Sequence, residues 1–137
     1  MTVKLQIYKC EICGNLVQVL QEGEGNLICC GEEMQLMGVQ YDTTEIGEKH
    51  TPKTELKEGE NYVNVFGHPM IKEHFIQFIE TFSPDKKEVH IKFFSPEEQP
   101  EAKAKIDGEF KAVEYCNIHG LWGENKTKEN TKSDYSI

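Results

Sequence analysis

The chain has 137 residues, 37% of them hydrophobic and 28% charged, and a formal net charge of −9 from 15 basic and 24 acidic side chains. Those figures describe one globular domain, or a domain with a small appendage. Every basic residue is lysine; an acidic chain without arginine forks argues against nucleic acid as a partner. No apolar run reaches the length of a membrane span, and Met1 to Gln6 lacks the apolar segment of a secretory leader. The expectation is a cytoplasmic protein, with no membrane partner, whose five cysteines serve metal binding or catalysis rather than disulfides.

In chain order, the alternation of Val3, Leu5 and Ile7 with polar neighbours predicts a short strand, and Gly23-Glu24-Gly25-Asn26 a turn. Residues 1–37 hold few large apolar side chains and four cysteines, so this lobe needs a staple to fold. From residue 38 short apolar runs recur between Gly, Pro, Asp and Ser: Leu36 to Tyr41, Tyr62 to Phe66, His74 to Phe82, Val89 to Phe94 and Phe110 to Tyr115. Short strands at this spacing predict an antiparallel β-sandwich. His74 to Phe82 also fits a helical face, but its β-branched and aromatic content favours a strand. Glu97 to Asp107 reads as a charged loop, and the polar end of the chain as a loose tail. The expected organisation is a mainly β chain, with a metal-binding lobe over residues 1–37, a sandwich over 38–126 and a tail over 127–137.

Cys10-Glu11-Ile12-Cys13-Gly14 is a knuckle whose two-residue spacing aims both sulfurs at one point; Cys29 and Cys30 follow. Four thiolates suit a tetrahedral zinc or iron ion, and the residues alone do not separate the two. Adjacent side chains on extended backbone point apart, so Cys29 and Cys30 require a local bend.

The five histidines are His50, His68, His74, His90 and His119. His90 alternates with Val89 and Ile91, which predicts a solvent-facing strand residue. The other four lie in loops or at the ends of apolar runs. Cys116 and His119 are three apart, a ligand spacing across a turn. Two other readings stand beside it: a nucleophilic cysteine with its base, and an inert buried cysteine.

These motifs occur in the order Cys-x-x-Cys, Cys-Cys, Glu-Lys-His-x-Pro, His-Pro-Met-x-x-x-His and Cys-Asn-x-His-Gly-Leu-Trp. Together they resemble desulfoferrodoxin, the two-iron form of superoxide reductase, from Tyr8 to Trp122. The resemblance implies a desulforedoxin-like N-terminal lobe in which Cys10, Cys13, Cys29 and Cys30 hold one iron. It also implies an immunoglobulin-like β-sandwich in which His50, His68, His74 and His119 lie in the plane of a second iron, with Cys116 on its axis. Glu48 and Lys49 would flank the open sixth position. Superoxide is then the substrate, a rubredoxin the implied electron donor and a homodimer the implied assembly. Thr51, Lys53 and the Phe66-Gly67 pair depart from the residues common in the family, but none is an implied ligand.

The implied reaction joins superoxide, one electron and two protons into hydrogen peroxide, which requires a metal that changes oxidation state. Lys49 would offset the acidic chain locally for an anionic substrate. An alternative is a zinc-ribbon lobe on a β-sandwich acting as a non-catalytic binding module; it leaves the four histidines and Cys116 unexplained. A pure electron carrier with two closed sites does not explain five protein ligands where six would close the shell.

Overall fold

The computed structural model describes residues 1–41 and 44–124. The chain divides between Val39 and Gln40 into two compact units. The tail expected from residue 127 lies outside the described residues.

The first unit contains β1 (Ile7–Lys9), β2 (Leu16–Gln18), β3 (Ile28–Cys29), β4 (Glu32–Glu33) and β5 (Gln35–Leu36). β1 is the centre of a three-stranded antiparallel sheet with β2 and β5, and β3 and β4 form a hairpin. The strand expected from Val3 begins only at Ile7. Before it, Gln6 N–H donates to the Val3 carbonyl at 3.1 Å, and Leu5 takes a φ of 74°. The Gln6 side chain closes this turn by accepting the Val3 N–H at 2.8 Å. Leu5, Ile7, Cys10 and Val19 are buried here, a small core for a lobe of this length.

The second unit contains α1 (Glu45–His50), β6 (Lys53–Lys57), β7 (Glu60–Asn64), β8 (Ile76–Phe82), β9 (Val89–Phe93), β10 (Glu101–Lys103), β11 (Lys111–Cys116) and β12 (Gly120–Gly123). Its strands make two antiparallel sheets, β12-β11-β8-β9 and β10-β7-β6. Four strands and three is the strand count of a constant-type immunoglobulin sandwich. Val63, Val65, Ile76, Ile79, Phe94, Ala102, Ala112 and Cys116 fill the core, with Met70 and Phe110 packed on it.

β8 is a central strand, and every residue of it except Gln77 is buried. Burial on both faces, which takes in the polar Glu80 and Thr81 as well, explains why the segment shows no clean alternation. Two expectations are corrected. Glu101–Lys103, read as loop, is β10 and pairs with β7. Ala102 alone turns inward there, so the flanking charges hid the strand. His90, read as solvent-facing, is half-buried, and its Nε2 is shielded without a partner. Its phase is the reverse of the one expected, because Lys92 pairs with the core residue Ile79 while Ile91 and Phe93 are 39% and 71% exposed.

α1 is too short for helical periodicity to register. Thr44 caps it by accepting the Gly47 N–H at 3.3 Å. Thr51 ends it, giving its N–H to the Gly47 carbonyl at 2.8 Å and its hydroxyl to the same oxygen at 2.6 Å. Pro52 prevents continuation. Among the described residues no helix is long and apolar enough to cross a membrane.

Candidate metal centres

In the first unit the Sγ atoms of Cys10, Cys13, Cys29 and Cys30 all lie within 4.8 Å of one another. Cys13 and Cys29 sulfurs are 3.5 Å apart, Cys29 and Cys30 sulfurs 4.0 Å. A tetrahedral ion with thiolate bonds near 2.3 Å sets its sulfurs about 3.8 Å apart, so the spacing of the four thiols suits one ion. The adjacent pair converges through its turn. Cys30 and Gly31 are the two residues between β3 and β4, with φ of 54° and 78°. Positive φ at both central residues is the type I′ hairpin arrangement, and it swings Cys30 onto the side that Cys29 faces.

The Cys13 N–H donates to Cys10 Sγ at 3.4 Å. That bond and the Ile12 N–H bring the buried Cys10 thiol down to about 6 against a smaller burial effect. Hydrogen bonds from Cys30 to Cys13 and Cys10 push the Cys30 thiol up to about 12. Cys10 is thus the thiol of the set most readily ionised, the form in which a thiol binds a cation.

In the second unit, four imidazoles form a ring. Centroids are 4.6 Å apart for His50 and His68, 4.5 Å for His68 and His74, 5.0 Å for His74 and His119, and 4.8 Å for His119 and His50; His50 and His74 lie 6.3 Å apart across the diagonal. Adjacent rings meet edge to face. His50 Nε2 and His68 Nε2 are 3.1 Å apart. Cys116 Sγ lies 3.9 Å from His119 Nδ1, and the donor atoms of all five residues fall within 4.8 Å of one another. Four imidazole nitrogens around a square with one thiol beside it fit an ion with a tetragonal field.

Hydrogen bonds choose the nitrogen that each ring presents. His50 Nδ1 donates to the Ile46 carbonyl at 2.7 Å, and His68 Nδ1 to the Pro69 carbonyl at 2.6 Å, so both turn Nε2 inward. His74 Nε2 is buried without a partner. His119 offers Nδ1 to the thiol side. Burial brings His68 down to about 4 and also lowers His74. Neutral imidazoles at physiological pH are the form a metal binds.

Cys116 ends β11 inside the sandwich core and is fully buried. Burial raises its thiol, while the N–H groups of His119 and Ile118 turn toward its sulfur and oppose that shift. Glu48 and Lys49 lie on α1 just before His50, both exposed. Lys49 Nζ pairs with Glu45 at 3.6 Å, and neither Glu48 nor Lys49 hydrogen-bonds to the imidazole ring.

Three residues beside the site escaped the sequence reading. Trp122 stacks on His50 and its Nε1 donates to the His119 carbonyl at 3.1 Å. Gln40 Nε2 donates to the same carbonyl at 2.7 Å. Glu114 is completely buried two residues before Cys116, and neither carboxylate oxygen has a hydrogen-bond partner. An acidic residue between Ala112 and Cys116 on an apolar strand face was the available signal for it.

Comparison with known proteins agrees with this arrangement. The desulfoferrodoxin N-terminal domain matches residues 2–37, and the desulfoferrodoxin domain matches residues 42–125. A desulfoferrodoxin homolog of Archaeoglobus fulgidus is 44% identical over 126 residues, covering 89% of this chain and 98% of its own. A superoxide reductase of Pyrococcus abyssi is 35% identical over 102 residues, covering 60% of this chain and 88% of its own. The crystal structure of the superoxide reductase from Treponema pallidum superposes with a TM-score of 0.64 at 24% identity, over 90% of this chain and 98% of that one; at that identity the likeness speaks to the fold. With family matches over both units and a relative of this identity across nearly the full length, the chain belongs to the desulfoferrodoxin family.

Proposed function

We propose that this chain is a superoxide reductase. It converts superoxide, one electron and two protons into hydrogen peroxide at an iron held by His50, His68, His74, His119 and Cys116. Cys10, Cys13, Cys29 and Cys30 hold a second iron for electron transfer or structure. The observation that carries this reading is the convergence of four imidazoles and one thiol to within 4.8 Å in the second unit. The family carries two irons, and the name of the Pyrococcus abyssi relative supports the activity.

Iron held there would supply a reversible one-electron change that zinc lacks. The residues around it supply the rest. The Ile46 and Pro69 carbonyls accept the Nδ1–H of His50 and His68, so that Nε2 is the nitrogen each ring presents. The buried Cys116 supplies anionic sulfur on one side of the imidazole square, where two N–H groups temper its charge. Lys49 gives the mouth a positive charge in an acidic chain and draws superoxide in. Glu48 is the carboxylate available to the open side once product has left.

The finer parts of the reading belong with it. The electron donor is a small iron–sulfur carrier such as a rubredoxin, because each superoxide consumes one electron. Five free cysteines suit the reducing cytoplasm. In this reading the domains span residues 1–37 and 38–126. The chain works as a homodimer; Ile12, Leu20 and Ile28 of the first unit, each at least 59% exposed, are apolar side chains available to a partner copy.

The test is stoichiometry. Reduced protein given superoxide should yield one peroxide per superoxide consumed, without oxygen release. One oxygen for every two superoxides would instead indicate dismutation, and no consumption would overturn the reading. Light scattering gives the assembly state.

A further inference from the structure

His50 and His68 are each fixed by a ring N–H bond to a backbone carbonyl. His74 is not: among the described residues its ring has no hydrogen bond, and its Nε2 is buried without a partner. The direction of this ring therefore depends on its backbone, together with its edge-to-face contacts with His68 and His119. That backbone is held on two edges. On one, His74 and Ile71 exchange N–H bonds at 3.0 and 3.1 Å. On the other stands Asn117, between Cys116 and His119 in sequence.

Asn117 grips the His74 segment with a fork. Its Oδ1 accepts the Phe75 N–H at 2.9 Å, and its Nδ2 donates to the Glu73 carbonyl at 3.0 Å. Its own N–H reaches the Phe75 carbonyl at 3.3 Å. The β8–β11 ladder shifts register between Tyr115 and Cys116, where Phe78 and then Ile76 are the partners. Beyond that bulge, regular pairing ends, and the amide side chain takes over the donor and acceptor duties of a strand. The fork embraces the residues on either side of His74.

We propose that Asn117 is the positioning residue for His74: its amide locks the His74 backbone to the Cys116–His119 turn, so that three of the five donors move as one rigid piece. The inference rests on metal ligation by the four histidines and Cys116, not on superoxide turnover. Only an amide of this length offers one donor and one acceptor at the required spacing. Asn117→Asp keeps the acceptor facing Phe75 N–H and sets a carboxylate oxygen against the Glu73 carbonyl. Asn117→Ala leaves both groups without the fork.

The experiment compares both variants with the unaltered holoprotein, following iron release from each site to a chelator and the visible spectrum of the His/Cys site. Removal of partners that orient a ligand commonly costs ten- to a hundredfold in metal affinity. Asn117→Ala should lose iron from the His/Cys site about tenfold faster or more and shift its absorption band. Iron in the four-cysteine site should be retained as before. Asn117→Asp should fall between. Circular dichroism and the unfolding midpoint separate loosening of the site from loss of the fold; if Asn117→Ala does not fold, Asn117→Asp carries the test alone. Unchanged release and an unchanged band in a folded variant would overturn the proposal. So would equal loss from both sites. Failure of the unaltered protein to hold iron at the His/Cys site would instead sink the functional reading, and this inference with it.

Discussion

Trp122 lies over His50, the ring centroids 4.9 Å apart and the planes inclined by 23°. The same indole gives its N–H to the His119 carbonyl, so one side chain braces two neighbouring corners of the imidazole square. Trp122→Phe should keep the stacking and lose the hydrogen bond, at about 1 kcal/mol. Trp122→Ala should lose about 3–5 kcal/mol, as large buried aromatics do. Denaturant midpoints of the metal-free protein and iron release from the His/Cys site measure the two effects.

The Glu45–Lys49 pair sets a second expectation. Both side chains are well exposed, so the pair matters little to stability, but the carboxylate offsets the field that Lys49 presents to an anion. Lys49→Ala should slow superoxide capture roughly threefold to tenfold at low ionic strength, and Glu45→Gln should accelerate it. Both differences should shrink as added salt shortens the range of the field. Pulse-generated superoxide followed across ionic strength gives the rates, and a salt-independent result for both variants would remove the steering role of Lys49.

Glu114 predicts a slope in stability. Burial raises its carboxyl well above the usual range, so the folded chain keeps a proton that the unfolded chain releases above about pH 4.5. Its favourable contribution is complete below that pH and is lost as pH rises, by up to about 1.4 kcal/mol per unit. Glu114→Gln does not titrate. The difference in unfolding free energy between the variant and the unaltered protein should therefore move in the variant's favour from pH 5 to 8.

His68 works in the opposite sense. Its folded value of about 4 lies below the ordinary histidine value. The unfolded chain therefore binds the extra proton first, and stability is full above about pH 6.5 and declines as pH falls toward 4. Metal-free protein should show this decline in its thermal midpoint, and His68→Gln should weaken it.

The four-cysteine site should be separable from the chemistry of the other. Cys13→Ser should abolish iron binding in the first unit and the order of its loops, because a lobe of this size depends on its metal. Peroxide production driven by a chemical reductant should persist. Complete loss of turnover would show that electrons must pass through the first unit.

The two groups that the structure brings together were visible in the types and spacings of their residues: a two-residue knuckle, a cysteine pair, histidines in motifs such as Gly67-His68-Pro69, and a cysteine three residues before a histidine. Cys116 could not be placed from its own residue type, since a ligand, a nucleophile and an inert core cysteine read alike; the structure shows it to be both a core residue and a neighbour of His119. β8 was legible from its aromatic and β-branched run. β10 was not, because one inward alanine between two charged residues leaves no hydrophobic pattern. His90 was misread because the direction a strand residue faces depends on its register with β8, and no local pattern carries that information. The Cys29–Cys30 bend was foreseen as a requirement, and the two-residue hairpin with Gly31 is how it is met.

The chain positions of the two donor sets also order their assembly in time. The cysteine set is complete once Cys30 has been made, whereas the histidine set waits for His119, about ninety residues later. At ordinary rates of synthesis that is a delay of roughly five to twenty seconds. A nascent chain can therefore capture its first ion while the sandwich is still unmade. The second ion must find a nearly finished protein, since its thiol closes the core and its imidazoles come from both ends of the unit. Scarcity of metal during growth should consequently produce chains with a filled cysteine site and an empty histidine site more often than the reverse.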